Sequence, residues 1–477
     1  MIRDDASRHA ALAAHRFGLG EASLEAVGRD PQAWLVAQIG PAEVARGENL
    51  ARLPEGLRAH VQLLRNQRQA ADAGMAGASN TMTAAEAAPG DPFRTIIQAD
   101  VRSYLATGVV SSRPFAERLT RFWSNHFTVS VVKGNTRALV GAFEREAVRP
   151  HIAGTFETLL KAAVRHGAMV RYLDNDQSAG PRSRFVTTAA RRAEAAGRPT
   201  PRITGLNENL AREVLELHTL GAASKAYGQA DVTAFAAVLT GWRIPARIAL
   251  QAEFADDEAL TRFDPAWHEP GPKTVLGKTY REGPLALDEV LHDLSRHPAT
   301  ARFLALKLAR HFVADEPPPA LVDRLARAYA DSQGDLPTVY RALVEAPESW
   351  QATPSKLKTP AEFITSTWRL LGTGDGPLQR FADGGAGAMG QRLHAAPSPA
   401  GWPDTADEWL GPDAMWKRVE WATRVADRFG RQVDARQLAR QSLGPLLSAT
   451  TAQQIERAAD GPQALALLLL SPEFQRR

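Results

Sequence analysis

The sequence predicts a mainly α fold: a single multi-helix unit with long loops and at most small β-hairpins. Three observations predict it. Ala, Leu, Arg and Glu dominate the chain, and these are strong helix formers. Apolar residues recur at spacings of three and four, the period of one helix face. Strand-like alternation is rare and short, with Val129, Ser130, Val131 and Val132 as its best instance. The chain has 477 residues, 44% hydrophobic and 23% charged, so it is long enough for a large core and ordinary in composition. A disordered chain, a collagen and a coiled-coil rod are excluded.

The helical pattern is clearest at 115–127, where Phe115, Leu119, Phe122, Trp123 and Phe127 line one side. It returns at 302–312 and 321–329. Between these two, Glu316 precedes Pro317, Pro318 and Pro319; proline ends one helix and is tolerated in the first turn of the next. Residues 70–92 are Ala, Gly, Ser and Thr with few large apolar side chains, and read as a flexible insertion. Residues 180–204 are rich in Arg, Ala, Gly and Pro, and read as a second exposed or mobile loop. The Gly-rich stretch 372–390 reads as a connection to the C-terminal helices.

Charge and cysteine content narrow the function. The 57 Lys and Arg exceed the 53 Asp and Glu by only four, which sets up no strong field. No basic run resembles a nucleic-acid arm, so no nucleic-acid partner is expected. Cysteine is absent, which excludes disulfides, thiolate zinc sites, iron–sulfur clusters and a cysteine nucleophile. No apolar run is long enough to span a membrane. The first residues carry acids and do not read as a secretory signal, so the expected compartment is the cytoplasm.

Four segments carry chemistry. In 205–221, a helix from about Asn207 to a stop at Gly221 places Leu206, Leu210, Val214 and Leu217 on one stripe. Asn209, Glu213 and Glu216 share the adjacent face beside Arg212, with Asn207 as the cap. Two carboxylates at i and i+3 can converge on one cation or proton. His218 points to the far side with Ala211 and Leu215, so the remaining groups of a site must come from elsewhere. The bland alternative is an Arg212–Glu216 pair on a surface helix. In 118–130, Asn125 and His126 sit among aromatic residues at a helix end, where a buried imidazole needs a partner. In 263–277, a proline-stiffened loop carries Asp264, His268 and Glu269. The nearby Gly277, Lys278 and Thr279 echo a phosphate loop but lack its earlier glycine and strand. In 397–405, Trp402 and Asp404 lie on a turn-rich loop, which is either a tight structural turn or a pocket wall. No Gly-x-Ser-x-Gly elbow or His-Glu-x-x-His motif is present.

Taken together, RFGLG at 16–20, FWSNHF at 122–127, YLDNDQS at 172–178 and GLNENLAREVLELHTLG at 205–221 resemble the bacterial domain of unknown function 1800 family. The order continues with LTGW at 239–242, HEPGPKTVLG from His268, HPATARF at 297–303, KLARHFVAD at 307–315, PSPAGWPDT at 397–405 and SPEFQRR at 471–477. The resemblance covers nearly the whole chain. It implies one helical family unit. Its polar positions here are Asn125, His126, Asn207, Glu208, Asn209, Arg212, Glu213, Glu216 and His268. Genes for proteins that look like this one often neighbour a sulfatase-like family with an export signal. That implies a sulfatase-like partner and a route to the periplasm by co-export.

The sequence therefore leads to three expectations. The first is a metal-assisted hydrolase, with Glu213, Glu216, His126 and His268 holding Zn²⁺, Mn²⁺, Mg²⁺ or Ca²⁺. Glu213, His126 and Arg212 would act in catalysis, and Asn125, Asn209, Trp402 and Asp404 would bind substrate. The second is a non-catalytic accessory or binding protein for that partner or a polymer, with Trp402, Trp409, Trp416 and Trp421 as a contact patch or core. The third is a haem-dependent oxidase or peroxidase using His126 or His218.

Overall fold

Helices occupy nearly every stretch where the apolar period is three and four. The computed structural model describes every residue except 1, 73–90, 92, 200–204, 253, 255–258, 352–353 and 380–382. Most of the expected insertion 70–92 therefore lies outside the described residues.

The helices that place the site are few. Helix α1 (Phe93–Val110) leads through a short bend into α2 (Pro114–His126), which starts on a proline. Helix α3 (Arg184–Ala195) follows, with Ser183 accepting the Val186 amide at its start. This corrects the loop expected across 180–204 over its residues 184–195, where the Ala and Arg content that looked like a linker is a helix once Ser183 caps it; residues 200–204 lie outside the described residues. Next come α4 (Asn209–Glu213) and, continuing it, a π-helical turn over Val214–Thr219. Helices α5 (Gln229–Leu239), α6 (Pro298–Phe312), α7 (Pro360–Leu371), α8 (Pro412–Phe429) and α9 (Gly461–Leu470) complete the set.

Two small antiparallel ribbons are the sheets among the described residues. Strand β1 (Trp242–Arg243) pairs with β2 (Arg262–Phe263), Trp242 facing Phe263. Strand β3 (Lys273–Val275) pairs with β4 (Lys278–Tyr280), Thr274 facing Thr279. The β3–β4 turn puts Leu276 and Gly277 at φ 50° and 77°, the primed-turn geometry that favours glycine. The Gly277–Lys278–Thr279 echo is thus a hairpin corner. Residues 129–132 form no strand. Val131 instead donates its amide to the His394 carbonyl, and Thr128 and Ser130 bond neighbouring carbonyls through their hydroxyls.

Apolar burial falls into two large clusters. The first gathers α2, α5, α6 and their neighbours around Phe115, Trp123, Phe127, Phe156 and Phe312. The second joins α1 and α7 to α8 and α9, around Phe363, Ile364, Trp421 and Leu468. A polar layer lies between them. There Arg118 of α2 ion-pairs with Glu362 of α7, and Arg477 reaches both Glu362 and Asp404. The expected tryptophan patch does not form as one surface. Trp409 and Trp421 are buried, Trp402 packs on Trp409, and Trp416 alone is exposed.

Candidate active site

A cavity of about 360 Å³ opens in this polar layer. Its wall comes from α2, α6, the start of α7 and the 391–405 segment. Each piece is held by local chemistry. Pro298 starts α6 while His297 accepts the Ala299 amide. In that helix Lys307 and His311 are four residues apart, so both present the same face. At the start of α7, Thr359 and Glu362 form a reciprocal capping box. Glu362 then uses its other oxygen on Arg118.

The 397–405 loop is fixed by Asn125. The Asn125 amide donates to the Trp402 carbonyl at 2.9 Å and accepts the Trp402 amide at 2.8 Å. Gly401 (φ 86°) lies so close that a Cβ there would sit 2.5 Å from the Asn125 carbonyl oxygen. That approach demands glycine.

The clamp delivers Asp404 to His311. His311 Nδ1 is 2.8 Å from Asp404 Oδ2. Arg477 donates to Asp404 Oδ1 at 3.0 Å, and Lys356 lies 3.6 Å from the same oxygen. Burial works to raise the Asp404 pKa, but His311, Arg477 and Lys356 outweigh it and hold the carboxyl below its usual range. Burial, opposed by Asp404, lowers His311 below the usual imidazole value. At neutral pH the pair is therefore carboxylate and neutral imidazole. The Nδ1 proton is given to Asp404 and the lone pair sits on Nε2. His311 Nε2 is buried and has no hydrogen-bond partner. Ser124, His394 and Trp402 line the same cavity, and their Oγ, Nε2 and Nε1 are likewise buried with no partner among the described residues.

Lys307 donates to His126 Nδ1 at 3.1 Å. His126 donates its Nε2 proton to the His218 carbonyl at 3.1 Å. Burial and the Lys307 charge keep His126 well below the usual imidazole value, hence neutral. Burial pushes Lys307 down to about 8, against the opposing pull of Asp404.

The family model described as Protein of unknown function (DUF1800) matches residues 12–476. The chain belongs to that family. Neither a curated protein nor a solved structure matches it.

In this DUF1800 member the expected site residues separate. Asn125, His126, Trp402 and Asp404 line the cavity together. Arg212, Glu213, Glu216, Asn209 and His268 are not part of its wall. Arg212 pairs with Glu208 at 2.9 Å, not with Glu216, and Gln229 and Thr233 extend that network. Burial and nearby Glu216 raise the Tyr227 pKa, and Asn209 is exposed. Glu213 is half-buried, and burial plus the Glu216 charge raise its pKa. The π-helical turn adds a residue and rotates the helix beyond it. Ala211, Leu215 and His218, placed on the far side of the wheel, are fully buried.

His268 is equally committed. Its Nδ1 meets the Thr240 carbonyl at 2.8 Å and its Nε2 accepts from Lys273 at 2.9 Å. Glu269 ties the same loop to Arg182. Among the described residues no group of three or more His, Asp and Glu is arranged to hold a metal ion. The set Glu213, Glu216, His126 and His268 therefore does not fit a divalent cation, because both nitrogens of each histidine are already bonded. Among the described residues no helix is long and apolar enough to cross a membrane.

Sequence reasoning singled out neither Lys307 nor His311. The available signal was KLARH itself, a lysine and a histidine one turn apart on an amphipathic helix.

Proposed function

We propose that this chain is an enzyme of acid–base chemistry on a small anionic substrate held in the cavity. His311 Nε2 takes and returns the proton, and Asp404 keeps the imidazole in the required tautomer. The single observation behind this reading is the His311–Asp404 pair at 2.8 Å, on a cavity-lining histidine whose Nε2 has no hydrogen-bond partner among the described residues. A general base needs that tautomer, that orientation and access to substrate. The anionic preference rests on Lys307 and Arg310, cavity cations that ion-pair with no carboxylate among the described residues. Lys307 bonds His126, and Arg310 bonds the Asp315 carbonyl.

The accessory-protein reading differs in outcome. A cavity that only binds would serve a polymer or a sulfatase-like partner without turnover. Proton NMR in D₂O on a panel of small carboxylates, 2-oxo acids and anionic esters separates the two. Deuterium incorporation or ester cleavage that is lost in His311→Gln supports the enzyme. Ligand line-broadening with no exchange or cleavage in the wild type overturns it in favour of binding alone.

A further inference from the structure

Of the lysines in the polar layer, Lys307 lines the cavity and ion-pairs with no carboxylate among the described residues, whereas Lys358, likewise without a carboxylate, bonds Ser366 and is not part of the cavity wall. Arg118 is neutralised by Glu362, and Lys356 by Asp315. Among the described residues the Lys307 amine has one hydrogen bond, to His126 Nδ1. That partner is itself locked by the His218 carbonyl, so it fixes the amine's position and carries no charge. One turn along α6, His311 presents an imidazole whose Nε2 is unpartnered. An amine and a proton carrier on one helix face, lining one cavity, are the two parts of carbonyl capture by lysine.

We propose that the Lys307 amine is a nucleophile that holds a small anionic carbonyl compound, a 2-oxo acid or a carboxylate-bearing aldehyde, as an imine. This names the substrate class for the acid–base site argued above and rests on that reading. The lone pair of the neutral amine attacks the carbonyl carbon, and a C–N bond forms as the C=O π pair moves to oxygen. One nitrogen proton passes through His311 Nε2 to that oxygen, giving a carbinolamine. The second nitrogen proton follows the same route to the hydroxyl, which leaves as water as the C=N bond closes. Amine and carbonyl become imine and water, and no oxidant or reductant is consumed. The Arg310 charge, three residues from Lys307 on α6, suits the carboxylate of the substrate. Burial supports the same role by bringing the amine down to about 8, so a useful fraction is unprotonated near neutrality.

The test is reductive trapping of the full chain with glyoxylate and cyanoborohydride, followed by peptide mass mapping. The chain has nine lysines, and exposed Lys225 serves as the internal reference. Lys307 is expected to gain one carboxymethyl group at least about tenfold faster than Lys225, because the cavity holds the aldehyde against the amine and His311 relays the protons. In His311→Gln that excess should shrink toward the Lys225 rate, while folding is checked by circular dichroism. Labelling of Lys307 no faster than Lys225 in folded wild type overturns the proposal. If deuterium exchange or ester cleavage persists in that case, only the imine fails. If neither is seen, the acid–base reading fails with it.

Discussion

Asn125 and Trp402 bond each other at both ends, side-chain amide to backbone carbonyl and backbone amide to side-chain oxygen. The two residues are 277 positions apart, and the clamp sets where Asp404, two residues further on, meets His311. Asn125 therefore acts through the loop and has no need to touch substrate.

Asn125→Ala should cost about 2 kcal/mol, since two hydrogen bonds go and the Trp402 amide and carbonyl lose partners. Urea unfolding measures it. The variant should also lose most D₂O exchange, because Asp404 is no longer held against His311. Normal exchange in a destabilised variant would separate the clamp from the site.

Asp404→Asn should lower proton-transfer rates by roughly a hundredfold or more, because the imidazole loses its oriented tautomer. It should also destabilise the fold by about 1–2 kcal/mol, as Arg477 and Lys356 lose the charge of a shared, partly buried carboxylate. His311→Gln should match the rate loss while staying within about 1 kcal/mol of the wild type, because Asp404 keeps its two cations. Parallel rate and stability measurements on the two variants check the division of roles.

The helical class was legible because the three-and-four period survives along most of the chain. Two of the four chemistry-bearing segments, 118–130 and 397–405, do meet in one cavity. The centre of the site was not legible. The Asn209–Glu216 face drew attention through its density of carboxylates, yet Glu208 spends its own on Arg212 and neither Glu213 nor Glu216 lines the cavity. A helical wheel assumes a constant period, and the π-helical turn at Val214–Thr219 broke it. His311 was hidden for another reason. Its partner Asp404 is 93 residues away, and no local spacing reports a contact that α6 and the 397–405 loop make only in the fold.

Glu213→Gln should leave cavity chemistry unchanged and mildly stabilise the fold at neutral pH. Burial and Glu216 raise the Glu213 pKa, so the folded chain binds its proton more tightly than the unfolded chain. Its contribution is thus lost as pH rises through the carboxylate range. Glu213 keeps part of its surface in water, so the gain from removing the charge is about a few tenths of a kcal/mol. Thermal melts at about pH 4 and about pH 7.5 should show the gain only at the higher pH. A loss of deuterium exchange in this variant would return Glu213 to the site. Chelator treatment should leave the melting point of the wild type unchanged.

His218 sets how the fold responds to acid. Its ring is fully buried, packs on Phe127 and His126, and has no hydrogen-bond partner at either nitrogen. Burial, helped by Lys307, lowers its pKa to about 3. The unfolded chain binds the proton near about pH 6.5 and the folded chain does not, so stability is present above that value and falls as pH drops below it. At about pH 5 the cost is roughly 2 kcal/mol from this one group. His218→Phe keeps the ring packing and removes both the titration and two unpaired polar atoms. It should be more stable than the wild type at about pH 7.5 by about 1 kcal/mol, and the gap should widen by roughly 2 kcal/mol at about pH 5. Urea midpoints across that range decide it. A constant gap would mean that His218 binds its proton as readily in the fold as in the unfolded chain.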